Sequence, residues 1–486
     1  MEVKDLKPAI VFGIFDEITK VPRPSKKEAK IRQYLLDFAA KHNLAAKTDE
    51  VGNVVISKPA TPGHEDAPTV ILQGHMDMVC ESNDKNFDFE NTPIKTIVDG
   101  DWVKADGTTL GADNGIGVAA SLAALIDPDL VHGPIEALFT VDEETGMTGA
   151  FGLGKDMITG KILINLDSED DAEVFVGCAG GVDTTCTFNY HRSVAPTDFH
   201  YFKIDVRDGL GGHSGGDIHL GHANANKLVA RFVWRIAQKH EISLAEIDGG
   251  NLRNAIPRAA HAIFGVHTSK KEDVMVAFNQ YVAEIENEYA GLETTLKLDL
   301  TSEDAPAYCI DSTTSLNVIT ALYCAPHGVI SMSRDLEGLV ETSTNLASVK
   351  MPKEGEILVT TSQRSSVESR KWDIAHQVEA VFKLAGAQVT HGDGYPGWAP
   401  NLDSPIMKIA SDAYEELYGI RPAIKAIHAG LECGLFKSVY PDLDMVSFGP
   451  TLQGVHSPSE RMNIPAVEKF WEQLKLVLTK VANLKK

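Results

Sequence analysis

The segment Thr69-Val-Ile-Leu-Gln-Gly-His-Met-Asp77 is a short apolar run that ends in a histidine and an aspartate. Its first five residues have the length and composition of a strand that is buried on both faces. Four similar runs occur in the same part of the chain: Asn53–Ser57, Ile135–Val141, Ile162–Leu166 and Glu173–Val176. Buried strands that alternate with helices are typical of an α/β sheet, which is therefore the predicted fold class.

Predicted helices precede and interrupt these strands. Ala9–Phe15 supplies the apolar face of a first helix, and Ser25–Glu28 has the sequence of a capping box that opens a second one. A third predicted helix runs from Asn114 to about Ile126.

Composition excludes several classes of partner. The chain has 486 residues and a net charge of −23, with acidic residues spread throughout. Nucleic acids and anionic membrane surfaces bind basic patches, so neither is an expected partner. The six cysteines follow no CxxC spacing, which favours a reducing, cytoplasmic environment. No segment approaches the roughly 18 consecutive apolar residues of a membrane span.

Five candidate metal ligands lie on short motifs, four of which follow apolar runs where a strand gives way to a loop. Open α/β sheets bind ligands at the carboxyl ends of their strands. One catalytic zinc ion needs three protein ligands and an open position, so two imidazoles and three carboxylates favour two zinc ions. The candidates are His75, Asp113 in Leu110–Gly115, Glu144 in Asp142–Gly146, Asp167 in Asn165–Ser168 and His456 in Gly454–Pro458.

Two further acidic residues stand beside these ligands. Asp77 lies two residues after His75, and such residues share a face of extended backbone, so its carboxylate can accept the second imidazole N–H. Glu143 and Glu144 directly follow a predicted strand. Their side chains diverge, so one can bind metal while the other contacts a water molecule, and the residues alone do not decide which does which.

The order and surroundings of the motifs resemble those of the dinuclear zinc peptidases, a superfamily that includes carnosinase, aminoacylase and the bacterial aminoacyl-histidine (Xaa-His) dipeptidases. The similarity to the last group is strongest and covers the whole chain. The resemblance implies that Asp113 bridges two zinc ions and precedes a cis peptide to Asn114. It also implies that Glu144 is a ligand, Glu143 the general base and Asp77 the partner that orients His75. Cobalt or manganese are possible substitutes for zinc.

The same resemblance implies a split catalytic domain with an inserted α/β lid domain. After residue 192 the order of predicted strands and helices changes, and the stretch from about 195 to 390 contains none of the five candidate ligands. We therefore predict a catalytic domain over 1–192 and 394–486, and a lid over 193–393.

Four residues are expected to contact the substrate, again from the resemblance. His213, in Gly211–Gly216, corresponds to a lid histidine that donates to the scissile carbonyl or the substrate carboxylate. Asn254 is a candidate backbone clamp. Arg364 is expected to bind the C-terminal carboxylate with two parallel hydrogen bonds, and Glu432 the free amine.

The predicted activity is hydrolysis of unblocked dipeptides, with Xaa-His (carnosine-like) substrates preferred, through a metal-bridged water and the Glu143 base. An aminoacylase or deacetylase with the same metal centre is the alternative. A non-catalytic metal-binding scaffold is less favoured, because it would be expected to lack Asp77 and Glu143. The resemblance further implies a homodimer, in which the large lid supplies His213 within one chain.

Overall fold

The computed structural model describes residues 2–484, which form helices and strands in close alternation. Three short 3-10 helices, Val3–Asp5, Ile218–Leu220 and Thr268–Lys270, accompany the longer elements. The α-helices of the described residues are α1 Ala9–Ile18, α2 Ala29–Lys41, α3 Ala112–Ile126, α4 Glu143–Gly146, α5 Thr148–Phe151, α6 Ala225–Ala237, α7 Lys271–Glu288, α8 Ser312–Cys324, α9 Glu368–Leu384, α10 Pro405–Tyr418, α11 Glu432–Val439 and α12 Ile464–Ala482.

The strands of the described residues assemble into several sheets. They are β1 Ala45–Thr48, β2 Val54–Lys58, β3 Val70–His75, β4 Thr96–Asp99, β5 Trp102–Ala105, β6 Ile135–Thr140, β7 Ile162–Asn165, β8 Glu173–Cys178, β9 Gly180–Asn189, β10 Arg192–Val194, β11 Phe199–Arg207, β12 Ile242–Gly249, β13 Ala260–His267, β14 Lys297–Glu303, β15 Tyr308–Ile310, β16 Gly328–Met332, β17 Val340–Lys350, β18 Glu356–Ser365, β19 Gln388–His391, β20 Ala423–Ile427, β21 Asp444–Ser447, β22 Leu452–Gln453 and β23 Arg461–Asn463.

The chain divides into two compact units. The first contains residues 1–177, 398–426 and 431–486, and the second contains 178–397 and 427–430. These bounds differ from the predicted 193–393, because β9 already belongs to the sheet of the second unit. The role of the second unit as a lid stays a prediction.

The first unit is built around an eight-stranded mixed sheet in the order β1-β2-β6-β3-β7-β21-β8-β20. Its central strands β6, β3, β7 and β21 run parallel to one another. All six residues of β3 and all six of β6 are buried, as expected for parallel strands covered on both faces. The predicted α/β class is confirmed. The five predicted strands of this part of the chain are present as β2, β3, β6, β7 and β8.

The second unit has its own nine-stranded sheet, in the order β14-β11-β13-β12-β17-β18-β9-β19 with β16 paired to β17. Helices α6 and α8 and strands β11 and β13 share one apolar core, which includes Phe232 and Phe264. Among the described residues, no helix is long and apolar enough to cross a membrane.

Two local predictions were wrong. Helix α2 begins at Ala29 with Glu28 as its N-cap, and Ser25 donates instead to Asp77 Oδ2 at 2.7 Å. The Glu28 carboxylate accepts from the backbone N–H groups of Lys26 and Asp142 at 2.7 and 3.0 Å, so the capping box does not form. Asp113 does not follow a strand either, since it lies in the first turn of α3.

Candidate metal centre

Parallel strands bring three of the candidate ligands together. His75 is the last residue of β3, which lies between β6 and β7 in the sheet. Glu144 follows β6 in the short helix α4, and Asp167 follows β7. Because these strands are parallel, their carboxyl ends meet at one edge, where the sequence predicted a site.

Asp113 joins the two imidazoles. Its Oδ1 atom lies 3.0 Å from His75 Nε2, and its Oδ2 atom lies 3.1 Å from His456 Nε2. Each imidazole nitrogen faces one further carboxylate: Asp167 Oδ1 is 3.3 Å from His75 Nε2, and Glu144 Oε2 is 3.0 Å from His456 Nε2. The five side chains thus form two sets, each of one imidazole and one carboxylate, that share the carboxylate of Asp113.

The donor set fits two zinc ions. Imidazole nitrogens and carboxylate oxygens are common zinc ligands, and ligand atoms of His75, Asp113 and Glu144 all lie within 4.8 Å of one another. Glu144 Oε1 and Asp167 Oδ1 are buried and have no hydrogen-bond partner. Buried carboxylate oxygens are costly without a partner, so both atoms call for a cation.

The charges of the cluster also favour a bound cation. Hydrogen bonds with Asp113 and Glu144 raise the pKa of His456 to about 11. Burial lowers the pKa of His75, but the carboxylates of Asp167, Asp113 and Asp77 outweigh it and hold that pKa well above the usual value. Burial also raises the pKa of Asp167 to about 7. Three carboxylates face two imidazoles in this cluster, so its formal charge is negative even when both imidazoles are protonated.

The segment around Asp113 has the backbone geometry that the resemblance implied. The peptide bond between Asp113 and Asn114 is cis. Gly111 has a φ of +71°, and a Cβ atom added there would lie 2.6 Å from Arg23 Nη2. A glycine is required at this position because the backbone is left-handed and a buried guanidinium packs against it.

Asp77 links the histidine ligand to the glutamate pair. Its Oδ1 lies 3.3 Å from His75 Nδ1, and its two oxygens accept from the backbone N–H groups of Glu143 and Glu144 at 3.0 and 3.3 Å. One carboxylate therefore contacts both the imidazole and the start of α4. This position fits the orienting role that was predicted for Asp77, which remains a prediction about function.

Glu460 is a residue that the sequence reasoning missed. Its Oε2 atom accepts from the backbone N–H groups of Leu110 and Gly111 at 2.6 and 2.9 Å, and its Oε1 atom accepts from Ala112 and Asp113 at 2.7 and 3.3 Å. Four hydrogen bonds from backbone N–H groups to one buried carboxylate fix the loop that contains Asp113. The only sequence signal is its place four residues after His456, which by itself indicates nothing.

Arg23 was also missed. Its buried guanidinium donates to the backbone carbonyl groups of Met76, Asp77 and Gly111. It therefore ties the segment after His75 to the Asp113 segment, while Glu460 ties the Asp113 segment to the one that carries His456. The motifs hold no hint of either contact, because the partners are backbone atoms from distant parts of the chain.

Glu143 and Glu432 belong to the same acidic surroundings. Burial raises the pKa of Glu143 well above its usual range, and the nearby carboxylates of Asp167, Glu432 and Glu144 add to this. Glu432 Oε2 accepts from Gln73 Nε2 at 2.6 Å and from Thr140 Oγ1 at 2.8 Å, while burial raises its pKa to about 8. Glu432 thus lies at the same strand ends as the candidate ligands.

The other three predicted substrate residues lie in the second unit. His213 Nδ1 accepts from the backbone N–H groups of Gly215 and Gly216, so in the neutral ring the proton is on Nε2, which is a donor. Arg364 is buried and donates to Tyr395 Oη at 2.8 Å, while its Nε has no hydrogen-bond partner. Asn254 is exposed, and its backbone carbonyl accepts from Ser214 N–H at 2.8 Å.

A profile of the peptidase family M20/M25/M40 matches residues 71–480, a range that contains all five candidate ligands. The chain belongs to this family. The chain is 42% identical over 481 residues to the cytosol non-specific dipeptidase of Escherichia coli (strain K12), and the match covers 99% of each chain.

Two solved structures are similar to this chain. The crystal structure of aminoacylhistidine dipeptidase from Vibrio alginolyticus has a TM-score of 0.93 at 43% identity, and the match covers 99% of this chain and 98% of that one. A tripeptidase from Staphylococcus aureus shares the fold, with a TM-score of 0.59 at 17% identity over 99% of this chain and all of its own. The predicted resemblance and the prediction of a peptide-bond hydrolase are confirmed.

Proposed function

We propose that this protein is a dinuclear zinc dipeptidase that hydrolyses unblocked dipeptides and prefers Xaa-His substrates. The observation that carries the proposal is the Asp113 carboxylate, whose two oxygens face His75 and His456 at 3.0 and 3.1 Å. A carboxylate shared in this way suits a pair of ions about 3.5–4 Å apart. The names of the two similar proteins, a non-specific dipeptidase and an aminoacylhistidine dipeptidase, support the substrate class.

When bound, the zinc ions would supply Lewis acidity and lower the pKa of water. Glu143 is the candidate general base, since it lies beside the ligand Glu144 and its backbone N–H is held by Asp77. It would accept a proton from the attacking water and pass it to the leaving amine. His213 Nε2–H is a donor for the oxyanion or for the substrate carboxylate.

Recognition of both charged ends would restrict the enzyme to dipeptides. Arg364, with its unpartnered Nε, suits the C-terminal carboxylate. Glu432 has one oxygen, Oε1, without a hydrogen-bond partner, and it suits the free amine. Asn254 remains a candidate clamp for the substrate backbone.

We also propose that the protein works in the cytoplasm as a homodimer. The first part rests on the cysteine pattern and on the name of the Escherichia coli relative. The second rests on the family resemblance. Mixing inactive His213→Ala and Glu143→Ala protomers tests whether one chain supplies the whole site: recovery of activity would mean that the site is shared between chains.

The proposed function is tested with a substrate panel on zinc-reconstituted protein. The panel contains Xaa-His and other free dipeptides, their N-acetyl derivatives, their C-terminal amides, and tripeptides. We expect free dipeptides to be cleaved best, with Xaa-His leading. Faster cleavage of an N-acetyl derivative than of any free dipeptide, with release of acetate, would instead identify an aminoacylase or deacetylase with the same centre.

A further inference from the structure

A second group of metal-ligand side chains lies in the second unit. His376 and Glu379 are three residues apart on α9, so they share a face of the helix. His391 is the last residue of β19, the edge strand that pairs with β9. One ligand atom from each of the three side chains lies within 4.8 Å of the other two.

A hydrogen-bond chain fixes the tautomer of His391. Gln363 Nε2 donates to the hydroxyl groups of Thr344 and Thr361, so its Oε1 atom is an acceptor. Thr184 donates its single hydroxyl proton to that oxygen at 2.7 Å. Toward His391 Nδ1, 2.9 Å away, Thr184 can therefore only accept. The proton of neutral His391 is on Nδ1, and its Nε2 atom carries the lone pair.

This lone pair faces a carboxylate oxygen. His391 Nε2 lies 3.1 Å from Glu379 Oε2, and two electron-pair donors at that distance need a cation between them, either a proton or a metal ion. Lys383 pairs with the other oxygen, Oε1, at 2.5 Å, which leaves Oε2 for that cation.

His376 supplies the second imidazole. Its ring is exposed, and its centroid lies 5.8 Å from that of His391. Two imidazoles and one carboxylate favour a first-row transition ion over Mg²⁺ or Ca²⁺, which take oxygen ligands. The hydrogen bond from His391 Nδ1 to Thr184 is the kind of outer contact that orients a metal-bound imidazole.

We propose that His376, Glu379 and His391 form an additional binding site for a divalent transition ion such as Ni²⁺ or Zn²⁺. The ion joins the middle of α9 to the end of the edge strand β19. It thereby fastens the last strand of the nine-stranded sheet to the helix that precedes it, and solvent water completes its coordination. The site has no part in peptide hydrolysis, so dipeptidase activity does not depend on it.

The test is a titration of the zinc-loaded full-length protein with Ni²⁺, followed by desalting and metal analysis. Total metal should rise by one equivalent per chain above the zinc-loaded level, and His376→Ala or Glu379→Gln should each remove that equivalent. His261→Ala is the matched control. His261 Nε2 lies 2.9 Å from Glu246 Oε1, and His261 belongs to no group of three metal-ligand side chains among the described residues, so the extra equivalent should stay. Counting zinc and nickel together separates added ions from ions that merely replace zinc.

Trp372 provides a second readout. Its ring centroid lies 5.8 Å from that of His391 and 6.0 Å from that of His376, so bound Ni²⁺ should quench its fluorescence. The quenching should disappear in Trp372→Phe and in His376→Ala. The proposal is overturned if total metal does not rise, if the extra equivalent survives both His376→Ala and Glu379→Gln, or if quenching persists without Trp372.

Discussion

The candidate metal centre of the first unit and the pair formed by Arg364 and His428 in the second unit lack partners of opposite charge. In the first, Glu144 Oε1 is a buried carboxylate oxygen without a hydrogen-bond partner. In the second, Arg364 Nε is a guanidinium N–H without one, and burial together with the Arg364 cation lowers the pKa of His428 to about 3. Unsatisfied buried atoms therefore indicate the charge of the missing partner: a cation for the first group and an anion for the second.

Removal of the Asp113 carboxylate is the most severe test of the cation requirement in the first unit. Asp113→Ala should lower bound zinc from about two ions per chain toward none and abolish activity, because both ion positions lose a ligand. Metal analysis of the purified variant checks this. The control is Asp170→Ala, which removes an exposed acidic side chain three residues after Asp167. Retention of both ions would show that Asp113 is not the bridge.

Glu143→Ala distinguishes the proposed general base from the proposed metal ligands in the acidic cluster. This change should lower kcat by at least roughly 10²–10⁴, the usual contribution of a general base, while zinc content stays the same. Kinetics and metal analysis on one preparation separate the two effects. Loss of zinc, or activity close to wild type, would mean that the roles of Glu143 and Glu144 are assigned wrongly.

Glu460→Gln should have a smaller effect, and on zinc affinity rather than on chemistry. The amide NH₂ group would face two backbone N–H donors, so half of the hydrogen bonds to the Asp113 loop would be lost. Contacts that orient ligands typically contribute 10–100-fold in metal affinity. Competition with a chelator measures that loss. Unchanged affinity in a folded variant would contradict the positioning role of Glu460.

Arg364→Ala tests the anionic side of the comparison. For the wild type, kcat/KM should be at least roughly tenfold higher for a free dipeptide than for its C-terminal amide, because the amide leaves a buried guanidinium unpaired. The variant should lose this preference in kcat/KM while keeping its zinc. A variant that still discriminates between acid and amide would exclude Arg364 as the carboxylate partner.

The sequence predicted the position of a candidate ligand well where that residue lies at the end of a strand. His75, Glu144 and Asp167 could be placed together because each comes after a buried parallel strand. The bridging role of Asp113 could be predicted only through the resemblance, since its position at the start of a helix depends on contacts with Glu460 and Arg23. Such contacts join side chains to backbone atoms more than fifty residues away, and no local pattern encodes them.

The split of the first unit has a consequence for biosynthesis. Strand β21 lies between β7 and β8, yet it is made only after the whole second unit. At roughly 5–20 residues per second, the ribosome leaves β7 without this neighbour for on the order of tens of seconds. An apolar strand with an unpaired edge is a template for wrong pairing. The nascent chain should therefore be most prone to aggregation during this interval, and the proposed set of zinc ligands is complete only after His456 emerges.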